Sequence, residues 1–251
     1  MVRLPIVILA LGIAAPVAIH AAPSAIRSYV TTAVADPARP AAERDTDANR
    51  KPAETLVFAG VKPGMTVGEF YPGGGYFTRM LSRVVGPRGH VYGIENDRWK
   101  GAVKADDALL ADGKYANVSI AARPFGTVDF PKPLDLAWVT QNYHDLKIAQ
   151  FGVVDTIAFD RGVFAALKPG GIFFILDHEA LPGTDDAAIA KLHRIERIKV
   201  IREVTSVGFK LVDEGNFLRR PSDDHTLPIF DKKVQGHTDQ YALKFVKPIR
   251  P

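Results

Sequence analysis

The chain has 251 residues, a formal charge of only +4 and no cysteine, which excludes disulfides, thiolate metal sites and cysteine nucleophiles. A hydrophobic share of 47% is ordinary for a globular protein and is enough for one large domain. The basic residues are spread along the chain, so no nucleic-acid surface is expected.

Arg3 is followed by an uncharged run over 4–19 and then by the small residues Ala21, Ala22 and Ala25. This is the layout of a secretory signal peptide over residues 1–22, and it predicts a periplasmic or secreted protein. A retained membrane anchor is the alternative. Pro5, Gly12 and Pro16 weaken it, and the run falls short of the roughly 20 residues that a bilayer requires. Residues 23–52, rich in Ala, Pro, Arg and Asp, read as a linker and polar lead-in, with Pro52 at a helix start.

The domain then occupies 53–251. A short amphipathic helix over 53–60 closes at Gly60. A strand is predicted at 66–71 and a helix at 76–85, with three glycines between them. Further strands follow at 90–94, 118–122, 134–140 and 172–177, separated by helical stretches at 97–111 and 151–167. The apolar run at 172–177 has the composition of a buried parallel strand. A long charged helix is predicted over 187–207, ahead of an antiparallel pair at 209–218 and 240–246. Alternating strands and helices predict one α/β domain, a mostly parallel sheet with helices on both faces.

The chemistry concentrates at two turns. Strand, glycine run and helix together bring backbone against a nucleotide-like ligand, and glycine suits this because a Cβ would block the approach. Gly73 and Gly75 are the expected points of contact. Glu95, 26 residues beyond Glu69, can accept both hydroxyls of a ribose. A dinucleotide fingerprint would require a third glycine at position 78, where Thr78 stands. After the strand at 134–140 comes the polar cluster Thr140, Gln141, Asn142, Tyr143, His144 and Asp145. His144 is the general-base candidate because histidine titrates near neutrality, with Asp145 orienting it or serving instead. Tyr143 is expected to pack its ring over the pocket.

Asp177, His178 and Glu179 could reach the same ligand from the next strand. With His144 they match no metal-ligand spacing, and no metal is expected. His193 to Glu196, with Arg197 and Arg202, read as a solvated helical face. Arg44, Asp47 and Arg50 are candidates for a lid, or simply part of the polar linker.

The stretch Val67-Gly68-Glu69-Phe70-Tyr71-Pro72-Gly73-Gly74-Gly75-Tyr76 resembles motif I of class I S-adenosylmethionine-dependent methyltransferases. Glu95 matches that family's ribose-binding acid, and Leu167-Lys168-Pro169-Gly170-Gly171 its approach to strand five. Arg50-Lys51-Pro52-Ala53-Glu54-Thr55-Leu56 and Val61-Lys62-Pro63-Gly64-Met65 resemble an exported bacterial branch of predicted methyltransferases. The resemblance implies a Rossmann-like, seven-stranded sheet ending in a C-terminal antiparallel hairpin. It also implies S-adenosyl-L-methionine as cofactor and a small-molecule acceptor. Glu69, Tyr71, Gly73, Gly74, Gly75, Glu95 and Asn142 would hold the donor, and His144 and Asp145 would be catalytic. Tyr71 and Pro72 depart from the pattern, where many members carry Gly and a small residue. Two other functions stay open: an exported nucleoside-type binding protein without catalysis, and a nucleotide-dependent oxidoreductase.

Overall fold

A computed structural model of the chain describes residues 27–249; the expected signal segment lies outside them. The element order is α1 (Ser28–Val34), α2 (Ala41–Arg44), α3 (Asp47–Arg50), α4 (Pro52–Ala59), β1 (Thr66–Phe70), α5 (Tyr76–Val85), β2 (His90–Asn96), α6 (Lys100–Ala111) and β3 (Val118–Arg123). There follow β4 (Leu134–Thr140), a 3₁₀ turn (His144–Lys147), α7 (Thr156–Ala166), β5 (Leu167–His178), α8 (Asp186–Leu192), α9 (Arg197–Ser206), β6 (Lys210–Gly215) and β7 (Gln240–Val246).

The seven strands form one sheet in the order β3-β2-β1-β4-β5-β7-β6. Strands β1 to β5 are parallel, whereas β7 runs antiparallel to both β5 and β6. Period-2 alternation divides the core. Leu136, Trp138, Phe174 and Leu176 point to the face covered by α1, α4 and α5. Ala137, Val139, Phe173 and Ile175 point to the face covered by α7, α8 and α9. Helix α5 shows the logic locally: Phe77, Met80, Leu81 and Val84 recur at helical spacing and are all buried. Each such side chain contributes about 1.5–3 kcal/mol by leaving water.

Three expectations are corrected. The predicted linker carries α1, α2 and α3, and α1 lies against α4 and α5 with Val30 and Ala33 in the core. One of its charges is taken into the fold: buried Arg39 makes a two-pronged ion pair with Asp47 at 2.7 and 2.8 Å. The helix predicted at 151–167 starts only at Thr156, where the Asp155 side chain accepts from Ala158 N–H. Residues 167–171 then belong to β5.

The long charged helix over 187–207 is broken. Helix α8 stops at His193, which adopts the left-handed conformation (φ 55°), and α9 restarts at Arg197. The break occurs because tertiary contacts outweigh helical periodicity. Ile195 bridges to Glu179 and enters the core, while fully buried Arg194 pairs with Asp223 at 2.8 Å.

Candidate active site

In the order β3-β2-β1-β4-β5 the direction of winding reverses between β1 and β4. The crevice beyond the carboxyl ends of those strands is where open α/β sheets bind ligands. A cavity of about 390 Å³ lies there, lined from β1 by Glu69, Tyr71, Pro72 and Gly73, and from β4 by Thr140 to Asn142. His144, Asp145, His178 and His193 line another part of it, and Arg50, Tyr76, Trp99, Phe151 and Phe230 supply further walls.

The glycine run splits by role. Gly73, Gly74 and Gly75 all have positive φ, at 60°, 92° and 93°. At Gly73 an added Cβ would meet nothing closer than Tyr71 O at 3.8 Å, so this glycine leaves room on the cavity side. At Gly75 a Cβ would meet Leu109 Cδ1 at 2.1 Å, so this glycine serves the packing of α5 against α6. Gly74 and Gly75 are not among the lining residues, and neither is Glu95. Glu95 faces the turn instead: one oxygen accepts from Gly73 N–H at 2.9 Å and the other from Asn96 N–H at 2.7 Å. Asp106 accepts from Gly74 N–H at 3.0 Å. These two carboxyls are close enough to share a proton. Burial, then the Glu95 charge, lifts Asp106 to about 7.

Glu69 is fully buried and accepts a hydrogen bond from Thr78 Oγ1 at 2.7 Å. Burial pushes its carboxyl up to about 8, with Thr78 opposing. Position 78, where a dinucleotide site would require glycine, thus carries a side chain that anchors the acid of β1. Tyr71 has positive φ (57°), and its hydroxyl accepts from Gly126 N–H at 3.1 Å. Its ring packs on Trp99 and Phe125, with centroids at 5.5 and 4.8 Å, and forms part of the cavity wall.

Arg50, one of the lid candidates, does reach the site. Its guanidinium lies 3.8 Å from the centroid of Tyr76, and Nη2 donates to Gln141 Oε1 at 3.3 Å. Burial holds its pKa below the usual value, and it forms no ion pair among the described residues. Asp47 helps to support this wall by accepting from the Tyr76 hydroxyl at 2.6 Å. Arg44 does not line the cavity; it donates to the carbonyls of Pro37 and Arg39.

The polar cluster after β4 divides as well. Tyr143 turns away from the cavity: it is buried in the other core cluster, and its hydroxyl contacts Asp160 at 2.9 Å and Glu203 at 3.2 Å. Asn142 donates to Asp145 Oδ2 at 2.9 Å. His144 is held by Asp177, which accepts from its backbone N–H at 2.8 Å and contacts Nδ1 at 2.7 Å. Burial disfavours a charged His144, but the Asp177 carboxylate and hydrogen bonds to Asp145 and Asp177 overcome it and raise the pKa to about 10. The two carboxylates thus favour the protonated ring, which donates rather than accepts a proton. Burial would raise Asp145, yet its contacts with His144, His193 and Asn142 keep it well below the usual carboxylate range. His178 is held well below its usual value by burial and by the nearby charges of His144 and Arg194.

His193 is the residue that sequence reasoning missed. A charged helical face offered no signal, because only the αL break at α8 turns its ring into the cavity. There it meets the rings of His144, Phe151 and Phe230, with centroids at 5.3, 6.0 and 5.0 Å.

No protein-family model matches the chain. It is 25% identical over 194 residues to ubiquinone/menaquinone biosynthesis C-methyltransferase UbiE of Shewanella sp. (strain ANA-3), across 76% of this chain and 67% of that protein. A SAM-dependent methyltransferase from Aquifex aeolicus superposes with a TM-score of 0.57 at 16% identity, over 80% of this chain and 98% of its own. The [4+2]-cyclase SpnF superposes equally well, at 0.57 and 18% identity over 84% and 82%, so one fold carries more than one chemistry. Strand order, the antiparallel β7 and these superpositions identify the fold as that of the class I S-adenosylmethionine-dependent methyltransferases.

Proposed function

We propose that the protein is a methyltransferase that takes its methyl group from S-adenosylmethionine and passes it to a small acceptor in the same cavity. The observation that carries this reading is the Gly73 cradle at the β1–β4 crevice, in a chain similar to UbiE over three quarters of its length.

The residues present fit the donor. Gly73 leaves the cavity side of its turn open, and the rings of Tyr71, Trp99 and Phe151 offer apolar faces to a purine. Arg50, half-buried and in no ion pair among the described residues, lines the cavity, and the carboxylate of the donor's methionine can pair with it there. Glu95 holds the Gly73 N–H from behind and so fixes the turn against which the donor would lie. A bound sulfonium donor supplies an already electrophilic methyl group. The protein's part is to align the acceptor with it and to exclude water.

Calorimetry on the purified chain tests the proposal. Saturable 1:1 binding of S-adenosylmethionine is expected, with a Kd in the ~1 μM to 1 mM range of ordinary substrates. Absence of both heat and thermal shift at millimolar donor would overturn it. The composition of residues 1–25 supports export as part of the same proposal. A fused reporter active only outside the cytoplasm should therefore be active, and an inactive, stably expressed fusion would refute export.

A further inference from the structure

The cavity holds a second constellation that methyl-donor binding does not use. His144 Nε2, His193 Nδ1 and Asp145 Oδ1 converge on one point. The two nitrogens are 3.3 Å apart, and each lies 3.2 Å from the oxygen. Ligand atoms about 2.1 Å from a common centre stand about 3.0 Å apart at octahedral angles and about 3.4 Å apart at tetrahedral ones. The observed triangle falls between those limits.

Three features separate this group from a chance cluster. Asp145 Oδ1 is buried and has no aligned hydrogen-bond partner, although its sister oxygen is taken by Asn142. Nδ1 of His144 faces Asp177 Oδ1 at 2.7 Å, which keeps one ring proton there, so a cation that displaced the Nε2 proton would find that lone pair pointing into the triangle. A carboxylate behind a ligating histidine is the usual orienting arrangement of metal sites. His193 is a non-glycine residue in the left-handed region, a strained conformation costing about 1–3 kcal/mol that tends to persist at functional positions.

We infer that His144, Asp145 and His193 form a facial two-histidine, one-carboxylate site for a first-row divalent transition metal ion. The donor set selects the class. Two imidazole nitrogens favour Fe(II), Co(II), Ni(II) or Zn(II) over the oxygen-seeking Mg²⁺ and Ca²⁺. All three ligands line the cavity, so the remaining coordination positions can open toward the acceptor. A metal there would bind and acidify an acceptor oxygen, a task that His144 held by Asp177 does not perform.

The test titrates cobalt(II) into chelator-stripped, full-chain protein, read by calorimetry and by the visible d–d bands. One saturable site is expected. His193→Asn, chosen because asparagine tolerates left-handed φ, should weaken binding at least about 100-fold, beyond the 10–100-fold that loss of an outer partner costs. Asp145→Asn should act similarly, with thermal melts confirming that both variants fold. No saturable cobalt(II) binding by the wild type, or equal binding by folded His193→Asn, would overturn the site. Donor binding without cobalt(II) binding would overturn this site alone. Cobalt(II) binding that both variants abolish, in a protein that takes no donor, would establish it independently.

Discussion

Asp177 at the end of β5 fixes His144 twice over, contacting both its backbone N–H and its ring nitrogen within 2.8 Å. A third N–H, from His178, completes the shell of the same carboxylate at 2.7 Å. One buried acid therefore ties β5 to the turn after β4 and sets the orientation of the histidine ring.

Replacing that acid should be costly. Asp177→Asn retains the shape but removes the charge that holds His144 protonated, and breaking a buried pair costs about 3–5 kcal/mol. Urea unfolding should show a loss of that size. An NMR titration should show the His144 pKa falling from about 10 toward its ordinary value.

The glycine run allows a discriminating pair of variants. Gly75→Ala forces a Cβ to 2.1 Å from Leu109 Cδ1 at positive φ, so it should lower stability by about 2 kcal/mol or more. Gly73→Ala meets no neighbour. It should cost about 1 kcal/mol of stability while weakening donor binding disproportionately. Thermal melts and calorimetry on both variants would check the contrast.

Arg50 carries the clearest expectation for the donor. Arg50→Met should cost only about 1 kcal/mol of stability, because the half-buried guanidinium forms no ion pair and loses just its place over Tyr76 and its bond to Gln141. Loss of a charge-assisted hydrogen bond, about 1.5–3 kcal/mol, should weaken S-adenosylmethionine binding by about 10- to 150-fold. Equal affinity in the variant would show that the guanidinium faces some other ligand.

The pH dependence of stability follows from Glu69. Burial raises its carboxyl to about 8, against 4.5 for a free glutamate side chain. Between those values the folded protein keeps a proton that the unfolded chain has lost, so raising the pH through that window favours unfolding. Asp160, lifted to about 8 by burial, acts in the same direction. His144 extends the decline, since its contribution is complete below 6.5 and is lost as the pH rises through about 10. The Tm should therefore fall by several degrees between about pH 6 and pH 8.5, and Glu69→Gln should flatten the fall. A Tm that rises over this range would contradict the assigned burial.

Much of the architecture could be read from the chain alone, because strand and turn signals are local. The boundaries of β4 and β7, the β1–glycine–α5 unit and the antiparallel ending all follow from alternation, glycine and apolar runs within a few residues. Glu69, Gly73, Asn142, His144 and Asp145 line one crevice for the same reason: each sits at or just beyond the carboxyl end of a parallel strand. What local pattern could not decide was which partners a side chain meets across the fold. Glu95 turned to the glycine amides, Tyr143 to Asp160, and the polar lead-in folded over α5 as helices. His193 left its helix because a buried Arg194–Asp223 pair and the Glu179–Ile195 bridge outweighed the periodicity of α8. Whether His144 is a base or a charged, clamped ring depends on Asp177, 33 residues away, since proton affinity is set by neighbouring charge and burial rather than by residue type.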